Sequence, residues 1–155
     1  MSLFPKSSPP PSGRIVLLSI KPKYAELILA GSKRVEFRRS WAAQEVTKIV
    51  LYSSSPIQKI VGIVEVEDVV TASATTLWKT CVERGGGLTR EELRSYFSGK
   101  SQGFGLLLGN VLEFANSIEP SEIIKNFVPP QSFRYLDNSD YINLEKFFAT
   151  KSEKQ

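Results

Sequence analysis

A short helix enclosed by two strand-like runs, all between Ser19 and Arg39, constrains the fold of this chain more than any other stretch. Pro22 suits the first turn of a helix, where its missing N–H is no loss. Gly31 is placed to end that helix in a left-handed conformation. The apolar residues before it have helical spacing: Ile20, Tyr24, Leu27 and Ile28. The chain must therefore combine helix and strand within this stretch.

The run from Lys33 to Arg39 alternates charged and apolar residues, as a half-buried strand does. Val35 and Phe37 are predicted to face the core, and the opposite face then carries Arg34, Glu36 and Arg38. Two cations beside one carboxylate, next to a basic helix entrance, favour a pocket for a polar, anionic group. The alternative is a solvated ladder of charges along an edge strand.

The same stretch resembles the opening of the ASCH domains, which belong to the PUA-like superfamily. Ser-Ile-Lys-Pro at 19–22 leads into a short helix and then a Leu-Ala-Gly-Ser-Lys-Arg-Val-Glu-Phe-Arg segment at 29–38. Residues 129–136 resemble the closing segment of that family, so the resemblance spans roughly 14–136. It implies an α+β protein, a PUA-like β-barrel with flanking helices and a cleft beside the first helix.

Hydrophobic periodicity and turn residues place the remaining elements. Strands are predicted at 14–20, 47–53, 59–72 and 99–114, with a bulge or bend at Gly62 in the third of these. Helices are predicted at 73–83, where Ser73 is the cap, at 88–98, where Thr89 and Glu92 form a capping box, and at 120–127 and 138–149. Cys81 falls on the apolar face of its helix and is predicted to be core.

The length of 155 residues suits one domain, expected at 14–150 behind a flexible Pro/Ser-rich tail at 1–13. The chain has one cysteine and no histidine. Ser-His-Asp and Cys-His catalysis are therefore excluded, together with ordinary zinc sites and any disulfide within the chain. The sequence contains no cluster of carboxylates that would suggest a site for another metal. Neither a metal nor a cofactor is therefore expected.

Neither a signal peptide nor an apolar run long enough to span a membrane is visible. Together with the lone cysteine, this predicts a cytoplasmic protein without membrane partners. The net charge of +4 permits a polyanionic partner without requiring one. The oligomeric state is left open.

Lys33, Glu36 and Arg38 are the first candidates for the site. A carboxylate held between cations can accept hydrogen bonds from a base edge, and a lysine desolvated in a cleft can act as a base. The other candidates for ligand contact are Lys21, Lys23 and Arg39 for phosphates, Tyr24 for stacking on a base, and Ser53, Ser54, Lys100 and Gln102 for the cleft rim. Each of these cations taken singly is explained equally well as a surface charge that keeps the protein soluble. The helical spacing of Tyr24 favours core packing for this residue.

The family resemblance also bears on activity. In ASCH-like amidohydrolases that act on acetylated cytidine, a Gly-x-Lys-x-x-x-x-Arg frame supplies a catalytic lysine, matched here by Lys33, and an arginine, matched by Arg38. A threonine three residues after that lysine is replaced by Glu36. The glutamate form is similar to the branch regarded as RNA-binding or regulatory.

We therefore expect the chain to bind RNA or a modified nucleoside through a basic cleft, with a regulatory role in RNA metabolism or translation. The alternative is a metal-independent hydrolase, an N4-acetylcytidine amidohydrolase or a ribonuclease, with Lys33 as base and Glu36 or Glu83 as its partner. A protein-interaction module with a vestigial cleft is a third class. Whether the chain is an enzyme is left open.

Overall fold

A curved sheet of six strands organises the part of the chain that the structure describes. The structure is a computed structural model that describes residues 13–153, apart from the side chains of 149–153. The strands are β1 (Arg14–Ile20), β2 (Val35–Arg38), β3 (Val46–Ser53), β4 (Lys59–Ala72), β5 (Gly103–Ile118) and β6 (Phe133–Tyr135). Their order across the sheet is β2-β5-β4-β3-β1-β6. The sheet curls into a half-barrel, so the α+β prediction is confirmed.

Within residues 13–153, four helices flank this sheet: α1 (Pro22–Leu29), α2 (Ala74–Arg84), α3 (Arg90–Tyr96) and α4 (Asn138–Glu153). β1 and β3 run parallel and are connected through α1 and β2, whereas every other pair of strands in the described part of the chain is antiparallel. The carboxyl ends of β1 and β3 therefore lie side by side, where Ile20 pairs with Ser53.

The apolar run of β1 is continuous because both faces of this strand are buried. Ile15 and Leu17 belong to the hydrophobic cluster that packs against α4. Val16 and Leu18 belong to a second cluster on the other face, together with Ala25 and Ile28 of α1. A third cluster joins β2 to α2 and α3 and includes the predicted core cysteine, Cys81.

The predicted starts of α2 and α3 are confirmed by side chains that cap them. The hydroxyl of Ser73 accepts a hydrogen bond from the backbone of Thr76, and Thr89 forms a complete capping box with Glu92. Gly31, just after α1, has a φ of 80°. The residues before Gly13 and after 153 lie outside the described residues, and the predicted tail at 1–13 falls almost entirely among them.

Two predicted elements differ clearly from the observed ones. The strand expected at 99–114 begins only at Gly103, because Gly99 turns the chain with a φ of 82°, and it continues to Ile118 along β4. The helix expected at 120–127 is a single 3₁₀ turn at Pro120–Glu122.

Gly62 carries a register shift in β4, as predicted, and leaves no room for a side chain. A Cβ there would lie 2.7 Å from the backbone oxygen of Leu112 and 2.7 Å from Leu29 Cδ2. Gly62→Ala is therefore expected to lower the free energy of unfolding by about 1–3 kcal/mol, because a backbone oxygen cannot move aside. Chemical denaturation of both proteins measures the difference.

Gly109→Ala is the matched control within the same sheet. Its Cβ would meet the flexible side chain of Glu67 rather than backbone. We expect little change in stability or a small gain from the stiffer unfolded chain. Equal losses in the two variants would contradict the steric argument for Gly62.

Candidate functional site

A pocket of about 1010 Å³ opens where the carboxyl ends of β1 and β3 meet α1, β2 and α3. Residues from five parts of the chain line it: Ser19, Ile20, Lys21 and Tyr24; Lys33, Glu36, Phe37 and Arg38; Tyr52, Ser54, Ser55 and Gln58; Leu88, Glu91, Glu92, Ser95 and Tyr96; and Pro129, Pro130 and Gln131. Residues of the stretch 19–39 and of the closing segment 129–136 therefore line the same pocket.

The Glu36 carboxylate lies at the base of this pocket between two cations. Its Oε2 accepts hydrogen bonds from Arg38 Nε at 3.1 Å and Nη2 at 2.8 Å. Its Oε1 lies 3.5 Å from Lys33 Nζ. The side chains of Lys33 and Glu36 are only 1% and 9% exposed, and that of Arg38 is 12% exposed. The three residues form a buried ion triad rather than a surface charge ladder.

Lys33 is unusual among these residues because it is a buried lysine. Its ammonium group also donates a hydrogen bond to the backbone oxygen of Gly86. It lies 5.2 Å from the ring centroid of Tyr24 and 5.5 Å from that of Phe37. Burial lowers the pKa of Lys33 below its ordinary value, and Glu36 only partly opposes that effect.

The guanidinium of Arg38 joins the two ends of the predicted domain. Its Nη2 donates to the backbone oxygen of Ser19 at 3.1 Å, and its Nη1 donates to the Ser132 hydroxyl at 3.3 Å. The hydroxyl of Ser19 in turn donates to the backbone oxygen of Pro130. Arg38 is therefore held in one orientation by groups from β1, β2 and the closing segment.

One face of α3 forms the opposite wall of the pocket. Glu91 and Ser95 lie one helical turn apart on it, as do Glu92 and Tyr96. The Tyr96 hydroxyl donates to the backbone oxygen of Phe37 at 3.2 Å, and burial raises the pKa of this tyrosine. The helix is thereby fixed against β2.

The pocket includes six of the candidate residues: Lys21, Tyr24, Lys33, Glu36, Arg38 and Ser54. The other five lie outside its lining: Lys23, Arg39, Ser53, Lys100 and Gln102. Arg39 Nη1 donates to the backbone oxygens of Tyr96 and Ser98 at 2.7 and 2.9 Å, so this arginine caps the end of α3. Ser53 is buried within the sheet, whereas Lys23, Lys100 and Gln102 are exposed.

One further expectation is wrong. Arg34 does not share the face of Glu36, because it precedes β2 and its Nη2 points to the backbone oxygen of Glu83. The second cation beside Glu36 is Lys33 instead. Glu83, the alternative catalytic partner, is exposed on α2 and does not line the pocket.

The residues that α3 contributes to the pocket were not predicted from the sequence. Glu91 and Glu92 have the positions of ordinary surface residues in the first turn of a helix, and nothing local distinguishes them. The lining consequently carries three cations, Lys21, Lys33 and Arg38, and three carboxylates, Glu36, Glu91 and Glu92. The cleft is charge-balanced rather than uniformly basic, which corrects the expectation.

The described residues contain no group of three potential metal-ligating side chains. No helix in the described part of the chain is long and apolar enough to cross a membrane.

Comparison with known proteins supports the family resemblance. The family model described as the ASCH domain matches residues 18–118. An ASCH domain-containing ribonuclease from Zymomonas mobilis is 30% identical over 129 residues, which cover 81% of this chain and 86% of that protein. This chain belongs to the ASCH domain family.

Solved structures agree with this assignment. The crystal structure of ASCH from Zymomonas mobilis matches with a TM-score of 0.79 and 28% identity, covering 86% of this chain and 94% of the other. The N-terminal domain of Staphylothermus marinus McrB matches with a TM-score of 0.52 at 12% identity, covering 85% and 93%, and is similar in fold alone.

Burial of Lys33 predicts a specific dependence of stability on pH. A lysine whose pKa is lower in the folded state binds fewer protons there than in the unfolded chain. Wild-type stability therefore gains from Lys33 as the pH rises toward its ordinary pKa of 10.5. Lys33→Met removes this contribution, so the stability of the variant relative to wild type should fall between neutral pH and pH ~10.

Denaturant titrations of both proteins across that range measure this difference. Comparing the two proteins at each pH cancels the contributions of titratable groups distant from Lys33. If the free energies of unfolding of the two proteins change with pH in parallel, Lys33 titrates as an exposed lysine does.

Proposed function

We propose that this chain binds single-stranded RNA, with a nucleotide seated in the pocket above the triad of Lys33, Glu36 and Arg38. The observation that carries this proposal is the burial of two cations and a carboxylate at the base of a large open cavity. Buried ion triads are costly to maintain, and a hydrophobic core of the same volume is often as stable. The name of the Zymomonas mobilis relative, an ASCH domain-containing ribonuclease, supports RNA as the kind of ligand.

The described hydrogen bonds leave room for such a ligand. The Arg38 guanidinium has five N–H groups, of which four are used by Glu36, Ser19 and Ser132. One Nη1–H remains for a phosphate or base oxygen. Lys21 lines the pocket mouth and supplies a further cation for the RNA backbone.

The cysteine content of the chain fits a protein that meets RNA inside the cell. The single cysteine, Cys81, is buried, and no second cysteine is present to oxidise with it. A reducing compartment such as the cytoplasm therefore suits this chain, and a regulatory role in RNA metabolism or translation is part of the proposal.

Binding of labelled single-stranded RNA tests this proposal. We expect Lys33→Met and Glu36→Gln each to weaken binding by about tenfold or more, because each removes a charged hydrogen-bonding group from the pocket. Fluorescence anisotropy at low and moderate salt measures the affinity, and salt should weaken binding.

Lys79→Met is the matched control, since it removes one charge from an exposed position outside the pocket. A loss of affinity equal to that of Lys33→Met would assign binding to net charge alone. Circular dichroism of each variant establishes that the fold is retained.

A second candidate function is metal-independent cleavage of RNA, which the name of the Zymomonas mobilis relative favours. A neutral lysine amine has two N–H groups and one lone pair. The contacts of Lys33 with Gly86 and Glu36 occupy two N–H positions, which leaves the lone pair for substrate. Burial lowers the pKa of Lys33 and increases the neutral fraction.

In such a reaction Lys33 takes the proton of the ribose 2′-hydroxyl, whose oxygen attacks the adjacent phosphorus. The bond from phosphorus to the 5′-oxygen breaks, and the leaving oxygen receives a proton from water. The hydroxide formed is neutralised by the proton that Lys33 releases to solvent, which restores the neutral amine. The remaining Arg38 N–H stabilises charge on the phosphoryl oxygens. The products are a 2′,3′-cyclic phosphate and a 5′-hydroxyl end.

We expect cleavage to persist in EDTA, to be abolished by 2′-O-methyl substitution of the RNA, and to fall at least about a hundredfold in Lys33→Met. Denaturing gels of end-labelled RNA measure each rate. Intact RNA after long incubation with binding-competent protein would leave RNA binding as the function. EDTA-sensitive cleavage would contradict the role assigned to Lys33.

A further inference from the structure

The charged groups that line the pocket divide into those whose side chains have a protein partner and those whose side chains have none. Glu36 is engaged by Lys33 and Arg38. Glu92 accepts a hydrogen bond from the backbone N–H of Thr89 through its Oε1 at 2.9 Å as part of the capping box. Four of the six charges therefore already have partners.

The two remaining charges have opposite signs. Within the described part of the chain, neither Glu91 nor Lys21 has a side-chain hydrogen bond or ion pair, although both line the pocket. Lys21 precedes α1 at one side of the cavity, and Glu91 lies in the first turn of α3 at another. A ligand therefore meets one free cation and one free carboxylate.

We propose that the pocket prefers nucleotides whose base carries an amino group on its Watson–Crick edge, with Glu91 accepting from that group and Lys21 contacting a phosphate. This inference rests on the proposed function and specifies its substrate class. Glu91 is then a specificity-determining residue, whereas Lys21 acts on every RNA alike.

The preference follows from the chemistry of the bases. A carboxylate only accepts hydrogen bonds, and cytosine, adenine and guanine each offer it an amino donor. Uracil has carbonyl oxygens on both sides of its single N3–H, and these oxygens repel a carboxylate. Cytosine and uracil have the same ring size, so comparing them isolates the group that Glu91 is proposed to contact.

The experiment compares fluorescein-labelled oligo(C) and oligo(U) of equal length, both with 2′-O-methyl ribose so that neither is cleaved. At neutral pH we expect wild-type protein to bind oligo(C) about fivefold more tightly than oligo(U), the lower end of what one base-edge contact provides. Glu91→Gln should bring the ratio close to one, since a glutamine amide can donate to uracil O4. Lys21→Ala should weaken both oligonucleotides by the same factor.

Glu113→Gln is the matched control, because Glu113 is exposed on β5, outside the pocket, and loses the same charge. It should keep the wild-type ratio. Glu91→Ala checks that any effect comes from losing the carboxylate rather than from the glutamine amide.

Failure of this inference is distinguishable from failure of the proposed function. Equal wild-type affinity for the two oligonucleotides, or an unchanged ratio in both Glu91 variants, overturns the inference while RNA binding stands. Absence of binding to both oligonucleotides, with the fold intact, overturns both proposals.

Discussion

The Glu36 carboxylate is the interaction on which the rest of the site depends. It is the counterion of Lys33 and of Arg38, both of which are largely removed from water. Removing one partner of a buried ion pair is strongly destabilising because the other charge is left uncompensated. Here one carboxylate neutralises two cations, so its loss would affect both.

The same triad joins separate parts of the chain. Lys33 binds the backbone oxygen of Gly86, ahead of α3, while Arg38 binds Ser19 in β1 and Ser132 in the closing segment. Arg39 and the Tyr96 hydroxyl add further bonds between β2 and the end of α3. The pocket walls are thus positioned by hydrogen bonds from one four-residue strand and the residues on either side of it. No buried polar side-chain atom among the described residues lacks a partner.

This division of contacts gives the pocket two kinds of charge. The buried charges are held by the protein and provide a rigid polar base, while Lys21 and Glu91, which are exposed, have no side-chain partner among the described residues. A charge-balanced lining cannot attract a polyanion by net charge alone. Recognition of RNA here would depend on the placement of individual donors and acceptors, which is the kind of recognition that can distinguish bases.

The sequence predicted best those helices and strands whose signal comes from neighbouring residues. The bounds of β1 and β4 agree with the prediction, and so do the caps at Ser73 and Thr89, because strand periodicity and capping depend on neighbouring residues. The alternation in β2 also placed Val35 and Phe37 in the core and Glu36 with Arg38 on the other face. The 3₁₀ turn after β5 and the start of β5 were missed, since a long-range strand pairing and a left-handed glycine set them.

By itself the sequence determined the α+β class, the family, and the pairing of Glu36 with Arg38, because all three are encoded in short stretches with definite spacing. Only the tertiary structure decided that Lys33 rather than Arg34 is the second cation, that Arg39 caps α3, and that Glu91 faces the same cavity as Lys21. The reason is physical: the side chain that meets a given carboxylate depends on how α3 packs against β2. That packing joins residues more than fifty positions apart, a separation over which local periodicity carries no information.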